Sequence, residues 1–162
     1  MITSQEIADS YALNMRLIKL QTDGLSHDDC LVQTAYNINS LNWVLGHIAV
    51  NRDNVLRALD EEPLLSDSES ARYKRGSEPV KADDGLILPL ESLLEVLERG
   101  QDTIAELLNH LSVEDMDREI QSGENTVSLG SRLFGLYFHD TYHTGQTDLL
   151  RQVAGKNDAV IR

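Results

Sequence analysis

The stretch PLESLLEVLERGQDTIAELLNHL, Pro89 to Leu111, decides the fold class. Its Leu90, Leu93, Leu94, Leu97, Ile104, Leu107, Leu108 and Leu111 recur at steps of mostly three and four, which winds them onto one side of an α-helix. Pro89 suits the first turn, where a missing N–H forfeits no hydrogen bond. Glu91, Glu95, Glu98, Asp102 and Glu106 form an acidic stripe along the same helix. Like charges one turn apart cost a few tenths of a kcal/mol per pair, partly offset here by Arg99, so the stripe reads as a solvated face.

Three more segments repeat this periodicity. The first starts at Thr3, with Glu6 in the capping-box position, carries Ile7, Tyr11, Met15 and Ile18, and stops at Gly24. The second opens near Asn39-Ser40 and bears Leu41, Val44, Leu45, Ile48, Val55, Leu56 and Leu59. The fourth runs from about Ser128 to before Gly155 with Leu129, Leu133, Leu136, Tyr137, Leu149 and Leu150. A short extra turn fits Ser112 to Asp117, where Ser112 and Asp115 can cap each other. No segment alternates at period two. Four helices of roughly 20 residues are each about 30 Å long and line up as a bundle. The expectation is an all-α four-helix bundle forming one domain over residues 1–162.

The connection between helices two and three, Glu62 to Leu88, is polar and contains Pro63, Gly76, Pro79 and Gly85. An extended chain covers roughly 3.3 Å per residue, so this tract can cross the whole bundle and set helix three parallel to helix two. It can equally be a surface insertion on an up-down-up-down bundle. Its length alone does not choose.

Composition excludes several functions. The 162 residues carry 27 Asp and Glu against 14 Lys and Arg, a formal charge of −13, which phosphate backbones repel. The sequence predicts no nucleic-acid partner. The N-terminal MITSQEIADS lacks a basic region followed by an apolar run, and no stretch approaches the ~20 apolar residues of a membrane span. The single Cys30 excludes an internal disulfide and a cysteine-rich zinc cluster. A cytoplasmic protein without a membrane partner is expected.

Chemistry concentrates in HDTYHTGQ, His139 to Gln146. Histidines four apart on a helix are stacked neighbours that can converge on one metal ion. Five histidines placed at random in this chain would give roughly 0.12 such pairs, so spacing alone is only suggestive. Both lie on or beside the apolar stripe of helix four, where imidazoles need hydrogen bonds or an ion. Asp140 falls about 100° around the helix from His139, which argues against it as a general base. A third ligand must come from His27, His47 or His110. His27 sits in the polar SHDDC loop and is expected to meet solvent. His110 ends helix three, where it complements the helix dipole. His47 is mid-helix beside Gly46, whose missing side chain permits close approach by another backbone or a ligand. Alone it reads as a hydrogen-bonded core histidine, and beside a helical HxxxH it reads as a ligand.

The segments LNWVLGHIAVNRDNVL and, about ninety residues later, FHDTYHTGQTDLLRQVAG together resemble the DinB-like family, and the resemblance spans the whole chain in order and length. It implies a four-helix bundle in up-down-down-up order with a long crossover between helices two and three. It implies a divalent ion (nickel, zinc or iron) held by His47, His139 and His143. Members with known activity include transferases and isomerases dependent on bacillithiol, mycothiol or glutathione, and homodimers are frequent. The resemblance thus implies a metal-dependent enzyme, a hydrolase or thiol S-transferase, acting on a small molecule and forming a homodimer. A non-catalytic metal-binding or regulatory helical-bundle dimer is the other class it admits, and a helical dimer with merely hydrogen-bonded histidines is a third. Asn51 and Gln146 can face the site as hydrogen-bonding groups or serve as ordinary helix polar residues. Cys30 has no motif partner to make it a nucleophile.

Overall fold

The computed structural model describes residues 2–33, 36, 38–158 and 160. Among them the chain is mostly helical, with six α-helices, one 3-10 turn and a small two-stranded sheet. The four long helices are α1 (Ser4–Thr22), α2 (Leu41–Ala58), α4 (Leu90–Asn109) and α6 (Leu129–Val153). Their starts follow the caps in the sequence. Thr3 and Glu6 form a reciprocal capping box, and the Ser40 and Ser128 side chains accept from the amides of Trp43 and Ser131. The short α5 (Val113–Asp117) is capped by Ser112 and Asp115. Gly24 follows α1 at φ 70, in the left-handed region where an L side chain is strained.

Two elements depart from the sequence expectation. The tract from Glu62 to Leu88 contains α3 (Asp67–Tyr73), started by a Ser66–Glu69 capping box. Its seven residues are too few for a periodicity to stand out. The chain also has strands, although none was expected. β1 (Glu119–Ser122) pairs antiparallel with β2 (Asn125–Ser128), with Ser122 opposite Asn125. Gly123, at φ 63, opens the two-residue loop between them. Four-residue strands carry little alternation, and here the turn residue is the stronger signal.

Each of α1 and α2 packs against both α4 and α6. Ser4 Oγ donates to the Leu111 carbonyl at 3.3 Å, joining the start of α1 to the end of α4. Arg151 donates to the carbonyls of Gln21 and Asp23, joining the ends of α6 and α1. Asn42 donates to the Leu88 carbonyl at 2.8 Å, so α2 and α4 begin side by side.

The apolar core has two parts. Met15, Ile18, Trp43, Leu45, Ile48, Tyr73, Leu93 and Leu97 belong to one, and Ile7, Tyr11, Val55, Leu56, Ile104, Leu129 and Leu133 to the other. Arg52 touches both through Met15 and Tyr11. Helix α2 is buried almost throughout, because α3, α4 and α6 all pack on it. The acidic stripe of α4 is exposed, as its pattern requires, with Glu98 paired to Lys19 at 2.9 Å. Leu149, expected in the core, is instead 56% exposed. No helix among the described residues is long and apolar enough to cross a membrane.

Candidate metal centre

Helix α2 contributes His47 and helix α6 contributes His139 and His143, with one ring nitrogen of each within 4.8 Å of the others. The ring centroids stand 5.0 Å (His47–His139), 4.7 Å (His47–His143) and 4.5 Å (His139–His143) apart. His47 is buried, while the other two are half-buried. The fully buried side of this part of α6 is occupied by Asp140, Thr144 and Thr147, so the histidines sit beside that line rather than on it.

The ring nitrogens are not equivalent. His47 Nδ1 lies 2.7 Å from the Tyr73 carbonyl oxygen. A carbonyl only accepts, so Nδ1 carries the proton and Nε2 is left with a free lone pair. His143 Nδ1 donates in the same way to Gln146 Oε1 at 2.8 Å. Gln146 therefore orients a histidine and also lines the cavity in front of it. His139 Nδ1 is buried without a partner. Two rings are thus held in the tautomer that metal coordination through Nε2 requires, and their supporting acceptors are of the kind found behind ligating histidines.

Electrostatics favours the neutral, metal-accepting form. Burial pushes the His139 imidazole down to about 4, with His143 and His47 adding to the effect. Burial also lowers His47, against the opposing Tyr73 hydrogen bond, and lowers His143. Three neutral imidazoles then face one another, two of them held as Nε2 acceptors. The residues present fit a cation: three neutral nitrogen donors, one with an unsatisfied buried nitrogen, suit a divalent transition ion and leave coordination positions open.

Tyr73 explains Gly46. A Cβ on Gly46 would stand 2.2 Å from Tyr73 Cδ1, so only glycine lets the tyrosine ring lie against α2. The Tyr73 hydroxyl accepts from the Leu88 amide at 2.7 Å and donates to Asn42 Oδ1 at 3.3 Å, which fastens the crossover to the helix. Trp43 stacks on the His47 ring, with centroids 4.6 Å apart and planes at 16°. No histidine pattern pointed to Tyr73, because it lies 26 residues from His47 in the connection.

Each remaining candidate has a different place. His110 is the exposed C-cap of α4, at a helix end as expected. His27 is half-buried rather than solvent-facing, with Nε2 3.7 Å from Asp83. Asn51 is buried and donates to the Leu136 carbonyl at 2.9 Å, tying α2 to α6. Asp140 is fully buried and ion-paired to Arg52 at 3.1 Å, and it accepts from Asn14 at 2.8 Å. Burial raises the Cys30 thiol to about 12, which leaves it inert.

The sequence matches a known family model, that of the DinB superfamily, over residues 12–147. The chain belongs to the DinB superfamily. Proteins of this superfamily often bind metal. A crystal structure described as a conserved protein of locus from Enterococcus faecalis shares the fold, with a TM-score of 0.76 and 16% identity over 95% of this chain and 98% of that one. No curated protein matches this DinB-superfamily chain in sequence.

Proposed function

We propose that this DinB-superfamily protein is a metal-dependent enzyme whose ion is held by His47, His139 and His143. The observation that carries the proposal is the convergence of three imidazoles held neutral by burial, with His47 and His143 fixed as acceptors by Tyr73 and Gln146. A bound nickel, zinc or iron ion would lower the pKa of a coordinated water or low-molecular-weight thiol and so provide a nucleophile at neutral pH. The chain's own residues do the rest. Trp43 packs against His47 and limits water on that face, and Tyr142 meets His143 edge-on at 5.0 Å. Both line a cavity of about 630 Å³ that opens on the histidines, roomy enough for a small substrate. The reaction is of hydrolase or thiol S-transferase type, in the cytoplasm, with no nucleic-acid partner.

The contacts between helix ends support an up-down-down-up order, in which α1 and α6 run one way and α2 and α4 the other. A homodimer is supported by the outer face of α6. Phe134, Phe138, Tyr142 and Leu149 are 46%, 64%, 60% and 56% exposed along that helix, an apolar strip of a kind monomers rarely leave uncovered. Phe138→Glu should shift the protein from dimer to monomer in sedimentation, and an unchanged mass would remove this surface from consideration.

Metal content is the first test of function. Elemental analysis after loading should find about one divalent ion per chain. The second is turnover of an electrophile with bacillithiol, mycothiol or glutathione. A loaded protein inactive across such a panel and across hydrolysable esters and amides would instead be a non-catalytic metal-binding module.

A further inference from the structure

The histidines line two cavities that differ in charge. The first sets Trp43, Val44, Tyr142, Leu149 and Leu150 beside Asn39, Gln146 and all three histidines. The second, of about 730 Å³, is lined by Lys74, Arg75 and Arg132, with Asn51 and Asn54 beside them. His47, His139 and Arg75 belong to both walls. Among the described residues no Asp or Glu lines either cavity, in a chain with 27 acids and only 14 Lys and Arg.

These three cations are also unspent. Lys19, Arg52, Arg72, Arg118 and Arg151 each reach a carboxylate. The side chains of Lys74, Arg75 and Arg132 make no ion pair or hydrogen bond among the described residues. Their placement is built into the site. Lys74 and Arg75 directly follow Tyr73, whose carbonyl accepts the hydrogen bond from His47 Nδ1–H, so the segment that orients the histidine also presents two positive charges. Arg132 lies two turns before His139 on α6, on the same side of the helix.

We infer that this basin binds the anionic group, a carboxylate or a phosphate, of the small molecule on which the three-histidine site acts. The inference rests on the metal-dependent reading of that site. Guanidinium groups can bond two oxygens of such anions with paired hydrogen bonds, and no cavity-lining acid among the described residues competes for them. The overall charge of −13 does not prevent this, because at physiological salt charges beyond about 8 Å are largely screened. The first cavity, with Trp43, Tyr142 and Leu149 in its wall, would take the uncharged part of the same molecule. Arg75, common to both walls, is the specificity-determining residue.

The test uses chelator-treated protein at pH 8, where neither an ion nor a charged imidazole can account for anion binding. Calorimetric titration with succinate, inorganic phosphate and the neutral 1,4-butanediol should show binding of an anion and none of the diol. Preference for succinate assigns a carboxylate, and preference for phosphate a phosphoryl group. Arg75→Gln and Arg132→Gln should each weaken the preferred anion by about tenfold or more, and Arg75→Lys should recover part of the loss. Lys81→Gln, an exposed cation lining neither cavity, should have no effect. Circular dichroism confirms that each variant is folded, and the exposed Arg75 variant keeps the test open should Arg132→Gln misfold. Absence of anion binding by the wild type overturns the inference, as does equal affinity in the Arg75 and Arg132 variants or an equal loss in Lys81→Gln. Metal loading of the same proteins separates the two ideas. Normal loading with unaltered anion affinity in the variants removes only the basin, and anion binding without metal uptake removes only the metal centre.

Discussion

Two polar clusters sit side by side on the α2–α6 contact, and they are built on opposite principles. In one, Arg52 and Asp140 are 2% and 0% exposed and close on each other at 3.1 Å. Arg52 also donates to the Leu97 carbonyl at 2.7 Å, and Asp140 also accepts from Asn14. In the other, His47, His139 and His143 offer the same chemistry and have no partner in each other. Opposite charges cancel within the core, although Arg52 Nη2 is left without a hydrogen-bond partner. The three imidazoles cannot neutralise one another, and they line a cavity where a cation or water can meet them. His139 and Asp140 are adjacent in sequence yet belong to different clusters, because one residue is about 100° of helix. Polarity inside the bundle therefore does not mark function by itself; three like ligand groups converging at a cavity are the stronger sign.

The contrast is open to attack in four ways. His47→Ala and His143→Ala should each abolish stoichiometric metal uptake in elemental analysis, because two imidazoles hold a transition ion poorly. His27→Ala and His110→Ala should load like the wild type, and undiminished loading in His47→Ala would break the assignment. Stability of every variant is checked in parallel, since the histidines also pack.

Next in size is the structural cluster. Arg52→Met leaves the Asp140 carboxylate buried and unpaired, and should cost about 3–5 kcal/mol in urea denaturation. A loss under 1 kcal/mol would mean that this pair is not the structural counterpart described above. Metal binding should survive at denaturant concentrations where the variant stays folded.

Gly46→Ala probes the link between packing and ligand orientation. Its Cβ would displace the Tyr73 ring, and with it the carbonyl that holds the His47 proton. Metal affinity should fall about 10- to 100-fold, as when a supporting acceptor is lost behind a ligand. An Asn42→Ala change, which loosens the Tyr73 hydroxyl but leaves Gly46 alone, should have a smaller effect in the same titration.

The smallest effect expected is on pH dependence. All three imidazoles are lowered in the folded protein, His139 to about 4, while the unfolded chain protonates near the ordinary 6.5. Below that value the unfolded state binds more protons, so the metal-free protein should be at full stability above about pH 6.5 and lose it as pH falls toward 4. Thermal melts of His139→Gln should show a shallower decline over that window. An identical slope in wild type and variant would show that the cluster is not what titrates.

Much of this molecule was legible in its residues, and the reason is periodicity. Helices α1, α2, α4 and α6 declare themselves through repeats of three and four and through side-chain caps, which are local properties of the chain. The HxxxH pair is local in the same sense, since four residues of helix bring two imidazoles together. Of the short elements only α5 was legible, through the Ser112–Asp115 capping box. Helix α3 and the β1–β2 hairpin are too brief for a period, and only the Ser66–Glu69 box and Gly123 betray them.

Long-range partnership was legible only in part. That His47 meets the HxxxH pair was expected from its mid-helix place beside Gly46 and from a resemblance, and its physical cause is the α2–α6 packing that puts residues about ninety positions apart against each other. Asp140 gave no sign of belonging to Arg52, nor Tyr73 of belonging to His47 and Gly46. The sequence by itself determined a helical chain with two stacked histidines on its last long helix. The tertiary structure alone decided which polar groups cancel one another, which are left facing a common point, and which cations gather beside them. Helix spacing is set by bonds within a segment, whereas charge pairing and burial are set by whichever segments happen to be neighbours in space.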